Sequence, residues 1–168
     1  NKRPKSLKAE IIRFNNNDEK WIAFVGIKDD RPYEIFTGIA DEEMFPIPKS
    51  INRGDIIKVK DREGASRYDF QYIDKYGYEN TLGGLSHMFQ KEFWNYAKLI
   101  SGVLRHGMPI PDVVHLVQSL RLDSETINTW KNGVERALKR YIPDGTKPKA
   151  GTKCSECASE SVVYQEGC

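Results

Sequence analysis

The chain has 168 residues, which suits one domain plus a tail, and its 39% hydrophobic and 11% aromatic content is enough for a core. Charged residues make up 30% and nearly balance, leaving a net charge of +2, whereas a dedicated nucleic-acid binder is usually far more basic. No apolar run reaches the ~18 residues of a membrane span, and no signal peptide opens the chain.

The first half reads as sheet. Ala9 to Phe14 is a short apolar run that stops at the turn-forming Asn15-Asn16-Asn17-Asp18. Trp21 to Ile27 is apolar on both faces, as in a central strand. Asp29-Asp30-Arg31-Pro32 turns the chain into a strand over Tyr33 to Thr37, which Gly38 ends. Residues 40–53, with Pro46, Pro48 and the acidic Glu42 and Glu43, read as a loop with one helical turn. Ile56 to Lys60 and Arg67 to Ile73, joined through Arg62-Glu63-Gly64-Ala65, read as a hairpin in which Tyr68, Phe70 and Tyr72 share a face. Thr81-Leu-Gly-Gly-Leu85 lacks the Lys and Ser/Thr of a phosphate-cradling loop and reads as a flexible connection. Connections this short require antiparallel pairing.

The second half reads as helix. Phe93, Tyr96, Ala97, Ile100, Val103 and Leu104 form one stripe of a helix over Glu92 to Arg105, which Gly107 stops. Pro109 and Pro111 separate it from a shorter helix over Asp112 to Leu120. Asp123 or Ser124 caps a third, with Ile127, Trp130, Val134, Ala137, Leu138 and Tyr141 recurring at three and four. The expected fold class is therefore α+β: an antiparallel sheet in the N-terminal half, three helices packed on one of its faces, then a flexible cysteine-containing tail. The expected boundaries are a basic flank at 1–8, the α+β domain at 9–142, a linker at 143–153 and the tail at 154–168. The Lys/Pro/Gly stretch from Thr146 to Lys153 spans roughly 15 Å r.m.s. if flexible.

All three cysteines lie in the last fifteen residues: Cys154, Cys157 and Cys168. Thiolates at Cys-x-x-Cys spacing either hold zinc or pass electrons by disulfide exchange, and the spacing leaves both open. Cys154 and Cys157 sit in a polar segment that gives no packing reason for a thiol. Three cysteines in a chain of this size make no disulfide scaffold and fit a reducing compartment, so a cytoplasmic location is expected. The chain begins at Asn1 and stops on its third cysteine, and it is expected to be a piece of a longer protein. His87, His106 and His115 are scattered without metal-ligand spacing. Trp21, Phe24, Phe36, Phe70, Phe93, Trp94 and Trp130 fall on apolar faces and read as core. Lys2, Arg3, Lys5 and Lys8 at one end, and Lys139, Arg140, Lys147, Lys149 and Lys153 at the other, read as solvated flanks.

Several stretches resemble the C-terminal part of adenosylcobalamin-dependent (class II) ribonucleotide reductases. They are Lys2-Arg-Pro-Lys-Ser-Leu7, Trp21-Ile-Ala-Phe-Val-Gly26 and Arg31-Pro-Tyr-Glu-Ile-Phe-Thr-Gly38, then Trp94 through the Leu104-Arg-His-Gly107 helix end to Ile110, Ile127 to Ile142, and the final Val163-Tyr-Gln-Glu-Gly-Cys168. In that family an α/β barrel reduces ribonucleotides to deoxyribonucleotides for DNA synthesis, and a small accessory domain lies between the barrel and a cysteine-rich tail. The resemblance implies a fragment of a vitamin B12-dependent ribonucleoside-diphosphate reductase. Its adenosylcobalamin and nucleotide substrate would be bound outside this chain, on a barrel upstream of Asn1. No cysteine precedes Cys154, so the isolated chain is expected to be inactive and to hold no catalytic residue. The resemblance also implies that Cys154, Cys157 and Cys168 are zinc-ribbon ligands at the tail. A final cysteine pair, reduced by a thioredoxin-like partner, would lie beyond Cys168. The alternative from another class is a non-enzymatic zinc-ribbon module that contacts a partner protein or nucleic acid through the basic ends.

Overall fold

The computed structural model describes residues 2–16, 18–40, 47–89, 91–121, 125–146 and 162–165, with the backbone alone at 16, 86 and 125–129. Six strands come first: β1 (Ser6–Asn16), β2 (Glu19–Lys28), β3 (Arg31–Ile39), β4 (Arg53–Lys60), β5 (Ser66–Ile73) and β6 (Glu79–Leu82). A 3₁₀ turn at Leu85–His87 leads into α1 (Lys91–Arg105), α2 (Ile110–Ser119) and α3 (Glu125–Lys139). The strands form one sheet in the order β3-β2-β1-β4-β5-β6, and every pair is antiparallel. The first four strands are a Greek key, in which β4 returns beside β1 after the long 40–52 connection.

Period-2 alternation gives β1 to β3 two apolar faces. Ile12, Trp21, Ala23, Val25 and Ile35 point to a core shared with Phe93, Leu104, Val113, Trp130 and Leu138 of the helices. Ile11, Ile22, Phe24 and Phe36 point the other way, into a second core with Ile56 and Phe70 of β4 and β5. The Phe24 and Phe70 rings lie 5.0 Å apart although β1 and β4 separate their strands in the sheet, and the Phe36 and Tyr68 rings lie 5.3 Å apart although β2, β1 and β4 separate theirs. Such contacts require the sheet to curl on itself, as twisted sheets of this length do. The helices therefore cover the outer face of β1–β3, and the curled second half of the sheet covers the inner face. Phe89 and Trp94, at the start of α1, help close the inner core.

α1 also covers the outer edge of β3. The backbone N–H of Ile35 donates to the Ser101 hydroxyl at 3.2 Å, so the helix satisfies a group that an edge strand would leave free. Arg31 of β3 donates to the carbonyls of Leu104 (3.3 Å), in the last turn of α1, and Met108 (2.5 Å), just past its end, placing a cation at the negative end of the helix. Lys131 of α3 does the same for Gln118 O at 3.1 Å and Leu120 O at the end of α2. Pro111 stands in the first turn of α2, where its missing N–H is not needed, so the helix begins at Ile110 rather than Asp112.

Three further features differ from the sequence expectations. β1 starts at Ser6, and Leu7 is buried, so the strand takes in part of the stretch read as flank. The polar Glu79–Leu82 segment is a strand because it pairs with β5, and it carries little apolar pattern of its own. Gly84 is a fixed turn rather than a loose one: its φ is 70°, and its N–H donates to the buried Asp69 carboxylate at 2.8 Å. The acidic pair Glu42 and Glu43 and the cap candidates Asp123 and Ser124 lie outside the described residues.

Candidate functional site

Cys154, Cys157 and Cys168 all lie outside the described residues. Among the described residues no three His, Cys, Asp or Glu side chains are grouped to hold a metal, and His87, His106 and His115 are exposed and apart. The seven aromatics read as core are all core or packed against it. No helix among the described residues is long and apolar enough to cross a membrane. The motif residues instead build two other features, a buried charge cluster and an anchor for the tail.

The charge cluster closes one end of the curled sheet. Glu34 of β3 has a fully buried side chain. It accepts from Arg3 Nε at 2.9 Å and Nη2 at 2.5 Å, a bidentate pair in which Arg3 is itself 3% exposed. The Arg3 guanidinium also donates to Ile56 O of β4 and lies 5.3 Å from the centroid of Tyr68 on β5. One side chain thus ties β3 to β4 and β5 where no ladder joins them. Arg105, at the end of α1, reaches the same carboxylate at 3.3 Å and sits over Tyr33. The Arg3, Glu34 and Arg105 positions of the quoted motifs are therefore joined in space. Arg3 is thus not part of a solvated flank, as the basic terminal run suggests, because such a run carries no local sign of a buried partner 31 residues away.

The tail anchor follows α3. The chain turns at Pro143, where the Thr146 hydroxyl and N–H both donate to the Pro143 carbonyl at 2.6 and 3.2 Å, and Gly145 takes a φ of 83°. Gly145 N–H then donates to Tyr164 O at 2.7 Å, and Tyr164 N–H donates to Thr146 O at 2.8 Å. Along Val162–Gln165, half-buried and exposed residues alternate, as on a strand laid against a surface. The Tyr164 ring packs on the helical core, and burial raises its pKa. An expected tail free of the domain from Thr146 onward thus has one fixed point.

That point limits where the thiols can go. Cys168 is four residues past Tyr164, Cys157 seven before it and Cys154 eight past Thr146. A fully extended chain covers about 3.5 Å per residue, so the three cysteines stay within roughly 14, 25 and 28 Å of the anchor. Their ranges overlap. Zinc would find three thiolates there, a donor set that suits it, and tetrahedral closure would need a fourth ligand.

A family model described as NrdJ homologue C-terminal domain matches residues 7–143. The match relates the chain to the class II, B12-dependent ribonucleotide reductases of the NrdJ type. No curated protein and no solved structure matches the chain. The matched span runs from the first buried residue of β1 to the turn that opens the tail anchor, and so takes in the described sheet except Ser6 and the three described helices. On that span the chain belongs to the family of NrdJ homologue C-terminal domains.

Proposed function

We propose that this domain is the mount of a cysteine segment in a vitamin B12-dependent ribonucleoside-diphosphate reductase. The observation that carries the reading is the Tyr164 anchor. Thr146 and Tyr164 are tied together on the domain, on either side of the segment that carries Cys154 and Cys157 in sequence, and Cys168 follows Tyr164 by four residues. The core and the Arg3–Glu34–Arg105 cluster hold that base rigid, so the reach of the thiols is set by chain length. Cys154, Cys157 and Cys168 would hold zinc, which when bound supplies structural closure without redox change. A thioredoxin-like reductant would meet the region beyond. Adenosylcobalamin, the radical chemistry and the nucleotide substrate would belong to a catalytic barrel outside this chain.

The test uses the full-length reductase that contains this chain, with Cys154→Ser and, separately, Tyr164→Ala. Ribonucleotide reduction driven by thioredoxin should fall by about tenfold or more, equivalent to at least ~1.4 kcal/mol of barrier. Reduction driven by a small diffusible dithiol should persist, because such a reagent needs no tail. Equal turnover with thioredoxin in variant and parent would overturn the proposal.

A further inference from the structure

A cleft of about 810 Å³ lies between β1, the loop before β4 and the end of α3. Its walls carry Arg13, Lys49, Arg53 and Arg140 against the single carboxylate of Glu10. Among the described residues none of these four cations forms an ion pair with a carboxylate. In a protein of net charge +2, that is a marked local excess. Arg13 is also positioned: its guanidinium donates to Asn52 Oδ1 at 3.1 Å and to Pro48 O at 3.2 Å. Partial burial lowers its pKa, since the charge is desolvated without a counter-ion. A bound anion would supply one, and guanidinium and ammonium groups converging on a polar cleft match phosphate.

A second, smaller cleft of about 320 Å³ shares Ser50 and Ile51 with the first and is flanked by Tyr72 and Tyr76. Tyr76 is 72% exposed, yet the turn that carries it is ordered. The Asp74 carboxylate accepts from the N–H groups of Tyr76 (2.9 Å) and Tyr78 (3.0 Å) and from Asn80 Nδ2 (2.9 Å). An exposed ring on a fixed turn is a stacking surface for a flat group. Asp74 is matched here by Lys75, whose ammonium lies 5.0 Å from the Tyr76 ring centroid, so this cleft carries no net charge while the first is cationic.

We propose that the paired clefts bind a nucleoside polyphosphate, with its phosphates on Arg13, Lys49, Arg53 and Arg140 and its base against Tyr76. The site is separate from the tail anchor and stands independently of the reductase reading.

Calorimetric titration of the protein with adenosine triphosphate, inorganic tripolyphosphate and adenosine tests it. The triphosphate should bind saturably, tripolyphosphate more weakly and adenosine more weakly still. Arg53 and Arg140 are exposed, so Arg53→Ala and Arg140→Ala should leave the unfolding midpoint unchanged while weakening both anions by about tenfold each, as loss of a charged hydrogen bond does. Tyr76→Ala should weaken the triphosphate and leave tripolyphosphate unchanged. Absence of saturable binding by either anion up to about 1 mM, or binding indifferent to Arg53 and Arg140, overturns the site. Equal affinity for triphosphate and tripolyphosphate overturns the base contact. Tighter binding of a single-stranded oligonucleotide than of the triphosphate would replace the proposal with a nucleic-acid surface.

Discussion

Replacing Glu34 by Gln keeps the shape of a buried side chain and removes its charge. Among the described residues Arg3 then loses the one carboxylate it pairs with, while its own side chain is 3% exposed. Removing one partner of a buried pair costs about 3–5 kcal/mol, because the remaining charge is left uncompensated. Arg105 is 32% exposed, so its loss is screened by water and adds little. Two features soften the effect: Gln still offers one acceptor, and Arg3 keeps its bonds to the carbonyls of Pro4, Lys5 and Ile56. The low end of the range, about 3 kcal/mol, is the expected loss, against a typical domain stability of about 5–15 kcal/mol. Urea unfolding can be followed through the buried Trp21 and Trp130. With an m-value of about 2 kcal/mol per molar, the midpoint should fall by roughly 1.5 M. Adding Arg3→Met to Glu34→Gln should recover half or more of the loss, since an apolar chain replaces the stranded cation. A midpoint shift below about 0.3 M, or strictly additive single and double variants, would refute the view that this pair holds the end of the sheet.

Three other outcomes are expected. Gly54→Ala should destabilise by about 2 kcal/mol or more in the same unfolding assay, because a Cβ there meets the Gln71 carbonyl of β5, which cannot rotate away; an unchanged midpoint would mean that β4 and β5 separate easily. The Tyr141 hydroxyl is buried without a well-placed hydrogen-bond partner among the described residues, and burial, then the Glu10 carboxylate, raises its pKa. Its contribution is therefore complete below pH ~10, the unfolded value, and is lost as pH rises toward the higher folded value, so Tyr141→Phe should flatten the alkaline fall in stability seen in a pH series of melts. Tyr164→Ala should speed amide exchange at Gly145 by about tenfold or more without altering exchange in Trp21–Ile27, and equal protection at Gly145 would show that the anchor does not depend on the ring.

Local pattern carried most of the element map. The two-faced run Trp21–Ile27 marked an inner strand. The stripe from Phe93 to Leu104 marked α1, and the Gly64 turn marked the β4–β5 hairpin, because each depends on residues a few positions apart. The cysteine tail was equally visible as a compositional break, and the quoted motifs already pointed to the reductase family. Tertiary structure decided the rest. Residues 79–82 became β6 by pairing with β5, and two apolar faces became two cores only when the sheet curled to bring Phe70 onto Phe24. Arg3 met Glu34 across 31 positions, and Arg105 met the same carboxylate across 71. Tyr164 met Thr146 only because α3 delivers the turn at Pro143 to that surface. Such meetings join residues far apart in the chain whose local surroundings are polar, so neither periodicity nor composition marks them, and only the packing of the whole domain brings them together.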